Sequence, residues 1–357
     1  MKNDSEGIRR KYEKSDSIKY IILFVSIVTV FALGFLFMAL GVADTSVSLV
    51  LKAVWAWITG EIEGSPYAAS YKIIVYMRLP RIIMAVFAGI GLSVSGAAMQ
   101  SVTNNTLVSP FTIGISSAAA FGASLCIVFG GGIFFGSEAG IIFCAFVSSS
   151  ICALLVYGVS VKAGMGAETI ALAGIALNYF FNAMTSTVEF FAQEHKLSAV
   201  VQWTFGTFNG VTWDETTVVI LFVSVCTAIV YKYSLALNVM ASGDDEFSKS
   251  LGVSPKFVRA LMGALSDAMT SAIISFCGVI GFVGLVSPHI ARMTVGNNHK
   301  FLIPFSAVIG AFLLLVSDIV GKTILSPVSI PVGIVISFLG VPLFINLILK
   351  GRKGRGI

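Results

Sequence analysis

Two arginines three residues apart, Arg78 and Arg81, flank Pro80 at the point where an apolar run begins. Proline has no backbone N–H and suits the first turn of a helix. The two guanidiniums are therefore expected at a helix mouth, where fixed cations invite an acidic partner; interfacial anchoring by snorkelling side chains is the plainer reading. A second polar cluster, Asn238 to Lys256, reads N-V-M-A-S-G-D-D-E-F-S-K-S-L-G-V-S-P-K. Asp244, Asp245 and Glu246 suit the cap of a short helix, Ser248 to Leu251 its continuation and Gly252 its stop. Such a segment either docks another protein or is a solvated loop.

Other chemistry is missing from the sequence. No G-x-x-x-x-G-K-[ST] phosphate loop occurs, so that motif gives no nucleotide site on this chain. The three histidines, His195, His289 and His299, form no His-x-x-His or His-x-x-x-His pair, which removes support for a metal-ligand relay. His195 and His299 read as distant loop residues. The five cysteines, Cys126, Cys144, Cys152, Cys226 and Cys277, sit in apolar runs and read as small buried hydrophobes. No cofactor or metal is expected on this chain. Asp267 lies inside an apolar segment, where a charge is costly and commonly functional. A structural role there competes with one in coupling or translocation. Glu189, near the outer end of another segment, is either bland or pathway-lining.

The elements that position these residues must be membrane helices. The 357 residues are 56% hydrophobic and 11% charged, whereas a soluble domain carries about 25% charged residues. Apolar stretches of about 20 residues, the length that crosses a bilayer, recur between short polar breaks. Thirty-five glycines suit close helix packing in lipid. The expected spans are 20–42, 79–101, 109–130, 137–161, 168–192, 214–235, 257–278, 280–296, 303–323 and 331–349, an all-α polytopic protein of about ten crossings. The eighth is short and breakable, because Gly278, Gly281, Gly284 and Pro288 interrupt it. Residues 1–19 form a basic tail and the run from Tyr20 reads as an uncleaved first helix rather than a signal peptide. With both termini inside, 17 of the 23 Lys and Arg face the cytoplasm, as the positive-inside rule requires. Lys52, Lys72, Arg78, Arg81, Lys196 and Lys322 are left outside. Val47 to Thr59, with two tryptophans, is too short to cross and is expected along the outer surface. Ala199 to Asp214, with Trp203, Phe205, Phe208 and Trp213, is a second outer element, either an aromatic belt or the lining of an entrance.

The run from Arg78, R-L-P-R-I-I-M-A-V-F-A-G-I-G-L-S-V-S-G-A-A-M-Q, continues as S-V-T-N-N-T-L-V-S-P-F-T-I-G-I-S-S-A-A to Ala119. Further on stand G-V-I-G-F-V-G-L-V-S-P-H-I-A-R (Gly278 to Arg292), D-I-V-G-K from Asp318 and I-P-V-G-I-V-I-S-F-L-G-V-P-L-F (Ile330 to Phe344). Together these blocks resemble the iron-siderophore, cobalamin and heme permeases of bacterial ABC importers, over nearly the whole chain from about residue 20.

The resemblance implies a multi-pass protein of the bacterial cytoplasmic membrane. It implies a permease domain over 20–349, a cytoplasmic coupling loop at 238–256 and a basic tail at 350–357. It implies partners: a homodimeric or heterodimeric second permease, two ATP-binding subunits that use ATP and Mg, and an extracytoplasmic lipoprotein or periplasmic binding protein. The implied cargo is a ferric siderophore, with heme and cobalamin as alternatives. Arg78, Arg81 and Lys322 would receive glutamates of the binding protein; Lys322 stands where the family often has Arg, losing the two-pronged pairing. Glu246, Phe247, Ser248, Lys249, Ser250, Leu251 and Gly252 would engage the ATPase. Asn105 and Leu107, with Ala167, Glu168 and Thr169, would form a cytoplasmic gate. Thr106 replaces the family's usual proline and Ala118 a usual glycine. An ion-driven secondary transporter is the rival of another class. It needs midplane charges, for which Asp267 is the only strong candidate. An intramembrane enzyme lacks any nucleophile–base pair at helical spacing.

Overall fold

The computed structural model describes residues 2–39, 46–63, 65–131 and 136–353, and its regular elements are helices throughout. Residues 40–42 of the first expected span and 354–357 of the expected basic tail lie outside the described residues. A long α1 (Lys2–Ala39) is followed by α2 (Val47–Thr59), which Ser46 caps and which ends at Gly60 in the left-handed region. α2 has the bounds the sequence suggested.

The second expected span is the end of a longer rod. α3 (Ala68–Ile73) runs through one π turn, Ile74–Arg78, into α4 (Leu79–Val102). Pro80 cannot donate to the preceding turn, and a widened turn directly before it absorbs that missing bond. α5 (Ile115–Phe129) is shorter than the expected 109–130. Ser109 to Gly114 form turns, with Gly114 at φ +92° closing them. Then come α6 (Glu138–Lys162), α7 (Ala167–Phe190), α8 (Glu194–Thr204) and α9 (Trp213–Lys232). A capping box of Thr212 and Glu215 starts α9. α10 (Ser234–Ser242) and the short α11 (Asp245–Ser250) lead to α12 (Pro255–Cys277), α13 (Val283–Val295), α14 (His299–Thr323) and α15 (Val332–Lys353).

Among the described residues, six helical stretches are long and apolar enough to cross a membrane: 16–39, 68–102, 138–162, 213–232, 255–277 and 299–323. The other four expected spans correspond to α5, α7, α13 and α15. At 1.5 Å per residue, the 13 residues of α13 reach about 20 Å, short of a hydrocarbon core of about 30 Å. The cause is the break at Gly278 to Phe282, where Gly278 and Phe282 both have positive φ. Non-helical backbone in a membrane must be satisfied by protein. Here Thr207 N–H donates to Cys277 O at 2.7 Å, beside a loop whose Gly206 abuts Val279.

α4 is the spine, buried on nearly every side from Ala88 to Val102. Its glycines let neighbours approach to backbone contact. A methyl on Gly89 would overlap the Gly310 carbonyl of α14, and one on Gly96 would overlap the Gly284 carbonyl of α13. Large apolar side chains such as Phe24, Phe31, Leu154, Leu172, Tyr179 and Phe338 face outward, a surface suited to lipid or to another apolar protein face.

Candidate functional site

The two ends of α4 carry two polar clusters, about 36 Å apart for 24 residues at the helical rise. At its start, Arg81 makes a two-pronged pair with Asp318 of α14, with Nε–O distances of 3.0 Å to both carboxylate oxygens and an Nη2–Oδ1 distance of 2.6 Å. Lys322, one turn beyond Asp318, reaches its other oxygen at 3.3 Å. Arg81 also donates to Asn209, and Arg78 donates to Met38 O at 2.7 Å. Arg78, Arg81 and Lys322 line one cavity of about 630 Å³, walled by Tyr76, Met77, Phe208 and the 209–212 turn. The structure thus brings the three cations together. It adds Asp318, visible in the sequence but not recognised as the acid on which two of them converge. Arg81 and Lys322 on one carboxylate, with Arg78 lining the same cavity, leave a surplus of positive charge there.

At the far end of α4, Asn105 Oδ1 accepts from Leu107 N–H at 2.9 Å, a turn that leaves Leu107 exposed. Asp244 caps α11 by accepting from Phe247 N–H at 2.8 Å, and Gly252 at φ +79° ends it. Ser248 is buried while Glu246, Phe247, Lys249, Ser250, Leu251 and Gly252 are exposed. α11 therefore offers a small surface with two apolar side chains among charges. Ala167, Glu168 and Thr169 open α7, just past Met165, which has φ +57°.

What joins these pieces is Arg259 of α12. Its buried guanidinium donates to Val102 O at 3.1 Å, to Met165 O at 3.4 Å and to both oxygens of Asp245 at 2.8 and 2.7 Å. Those bonds hold the Asp245 carboxyl below the usual carboxylate range. Arg259 was legible only as one more inside cation, since its partners lie 14, 94 and 157 residues away.

His299 also departs from its reading as a loop residue. It begins α14, buried, with Nδ1 2.7 Å from Asn238 Oδ1 and Nε2 against the Ser101 hydroxyl. Asn238 Oδ1 also accepts His299 N–H at 2.8 Å, and Asn238 donates to Asn298 Oδ1 at 3.1 Å. This ties α10 and α14 to the Val102 end of α4.

The outer aromatic stretch divides. Trp213 stacks on Trp57 at 5.3 Å, a contact of α9 with α2, and Phe208 is fully buried. Phe205 instead lines a second cavity of about 550 Å³ at the α12–α13 break, with Phe111, Phe282 and Phe338. Asp267 is buried on α12, facing Tyr157 and Cys152 of α6, and neither carboxyl oxygen has a hydrogen bond of ordinary geometry.

A polytopic helical bundle with a cationic mouth at one end and a short exposed helix braced against its core at the other is the architecture of a membrane permease. The FecCD transport family model matches residues 27–350, and the chain belongs to that family, whose members are ABC transporter permease subunits. They are not enzymes themselves; the ATPase is a separate subunit. The chain is 32% identical over 340 residues to an Fe(3+)-citrate import system permease protein of Bacillus subtilis, covering 95% of this chain and 97% of that one. It is equally 32% identical to a molybdate import system permease protein of Haemophilus influenzae, covering 94% and 95%. Among solved structures it resembles a chain assigned to a metal-chelate type ABC transporter in an inward-facing conformation. The TM-score is 0.81 at 30% identity, covering 92% of this chain and 99% of that chain.

Proposed function

We propose that this chain crosses the cytoplasmic membrane ten times with both termini inside, and pairs with a second like permease to carry a ferric siderophore inward. Two ATP-binding subunits using ATP and Mg engage Glu246 to Gly252, and an extracytoplasmic binding protein docks on Arg78, Arg81 and Lys322. The gathering of those three cations on one cavity at one end of α4, two of them on Asp318, opposite α11 at the other, is the observation that carries this reading. Separation of the two sites by one rigid helix suits alternating access, in which the bundle opens to one side at a time. Asn105 and Leu107, with Ala167 to Thr169, then gate the inner side.

The substrate class rests on the second cavity. Its four phenylalanines and absence of lining charge suit a bulky, largely apolar-faced chelate, heme and cobalamin included, better than a small oxyanion, which would need cations or aligned N–H donors. The test is uptake of a radiolabelled ferric chelate into vesicles holding the permease with its ATPase and loaded binding protein. Uptake is expected to stop on ATP depletion and to survive collapse of the proton gradient. Uptake by the permease alone, driven by that gradient, overturns the proposal in favour of a secondary transporter.

A further inference from the structure

We propose that Arg259 is the positioning residue that ties α11 to both gate segments, so that one displacement of α11 reaches the α4 hairpin and the loop before α7 together. The inference rests on the reading of α11 as the seat of the ATPase.

Three features of the guanidinium carry it. Its partners belong to three different structural units: Asp245 in α11, Val102 at the last residue of α4, and Met165 in the turn before α7. Each carbonyl it holds lies at a place where regular helix bonding runs out: Val102 in the last turn of α4, Met165 in the left-handed region. The geometry also needs arginine, because the planar fork supplies one edge to a carboxylate while its Nε and a shared Nη1 reach two carbonyls, whereas an ammonium has no such fixed directions. Arg259 is 7% exposed and Asp245 44% exposed. The cation is thus part of the bundle, and the acid is the handle that α11 holds out to it.

The three units sit next to the residues that matter on either side. Asp245 adjoins Glu246 and Phe247 on the exposed face, Val102 lies three residues before Asn105, and Met165 two residues before Ala167. An arm between them transmits displacement because a buried guanidinium left without its carboxylate is costly, so the carboxylate and the carbonyls move as one set. Without it, α11 would keep its chain connections to α10 and α12 and the packing of buried Ser248.

The experiment uses the permease reconstituted with its ATPase and loaded binding protein, measuring cargo delivered per ATP hydrolysed. Arg259→Lys keeps the charge and loses the fork. It is expected to retain its ATPase on purification and to hydrolyse ATP within about twofold of the parent, while cargo per ATP falls about tenfold, the scale of a typical coupling energy. Asp245→Asn cuts only the carboxylate arm and is expected to lower the same ratio about threefold, with the double variant no worse than Arg259→Lys alone. A merely structural arginine would lower the amount of complex and leave the ratio unchanged. An unchanged ratio in Asp245→Asn overturns the proposal even where Arg259→Lys fails to assemble. The underlying reading is tested apart, with the Glu246→Ala, Phe247→Ala and Leu251→Ala triple variant. Loss of the co-purifying ATPase upholds α11 as its seat, and retention refutes that seat whatever Arg259 does.

Discussion

Each end of α4 is organised by an arginine–aspartate pair, but the two pairs are built the opposite way round. In the proposed orientation the Arg81 end faces out, and there the acid is the deepest member: the Asp318 side chain is 5% exposed against 12% for Arg81 and 23% for Lys322. At the inner end the base is interior and the acid belongs to a six-residue helix on the surface. A buried acid surrounded by cations preorganises positive charge for something that arrives from outside. A buried cation gripping a surface acid instead connects two parts of the same chain. In the proposed function the same ion pair serves recognition in one place and transmission in the other, according to which partner the core holds.

The strongest way to break this comparison is at the outer end. Arg78→Glu with Lys322→Gln is expected to lower capture of the loaded binding protein by about a hundredfold or more, since one attractive charge is then reversed and a second removed across the contact, with no new carboxylate set beside Asp318. Membrane insertion should be intact, and unchanged uptake would refute docking there. Arg81→Glu is a poorer probe, because it places a carboxylate against buried Asp318 and lowers folding as well as docking.

Next in size is the spine that keeps the ends in register. Gly96→Ala drives a methyl into the Gly284 carbonyl, and overpacking of this kind costs about 1–3 kcal/mol. Thermal unfolding in detergent should shift down, and an unchanged midpoint would mean that α13 moves aside freely. Asp318→Asn tests the preorganisation itself. It leaves all three cations but no anion to order them, so capture is expected to weaken by roughly tenfold through loss of geometry, despite the gain in net positive charge. Tighter capture would show that charge alone governs docking.

Two smaller effects sharpen the inner end and the class of transporter. The Asp245 carboxyl is held below its ordinary value by Arg259, so the bond stabilises the fold fully above about pH 4, the ordinary carboxylate value, and that contribution is lost as pH falls through the lowered one. The half-exposed acid limits the effect to about 1 kcal/mol or less after solvent screening. The midpoint difference between parent and Asp245→Asn should be constant from pH 5 to 8 and close at lower pH; a difference that grows on acidification would contradict the pairing. Asp267→Asn is expected to leave transport within about twofold, because the amide keeps the shape of a side chain that has no cation partner. Loss of transport would instead favour the ion-driven reading.

Much of this was legible in the chain. Val47–Thr59 and the cap, body and stop of α11 follow from local rules, since Ser46, Asp244 and Gly252 act within one turn of themselves. Arg78 and Arg81 stood out because they flank Pro80 at a helix start and break the charge asymmetry of the loops, whereas Lys322 stood out among the other exceptions only by the family resemblance. The failures share a cause. The 109–130 span shortened to α5 because Ser109 to Gly114 turn instead of helix, and 280–296 shrank to α13 because Phe282 takes a positive φ that only surrounding backbone can stabilise. Gly278, Gly281, Gly284 and Pro288 mark the second as short and breakable; what they leave open is where the helix restarts.

The sequence alone determined that lipid is the solvent, where the apolar segments run, and which family the ordered motifs resemble, because hydropathy, capping and motif spacing are properties of neighbouring residues. Only the tertiary structure decided that Asp318 gathers Arg81 and Lys322, that Arg259 holds α11, the end of α4 and the turn before α7 at once, and that His299 is buried between Asn238 and Ser101. Those contacts join residues tens to hundreds of positions apart. Their energies depend on burial and on bond directions, which exist only once the helices have packed.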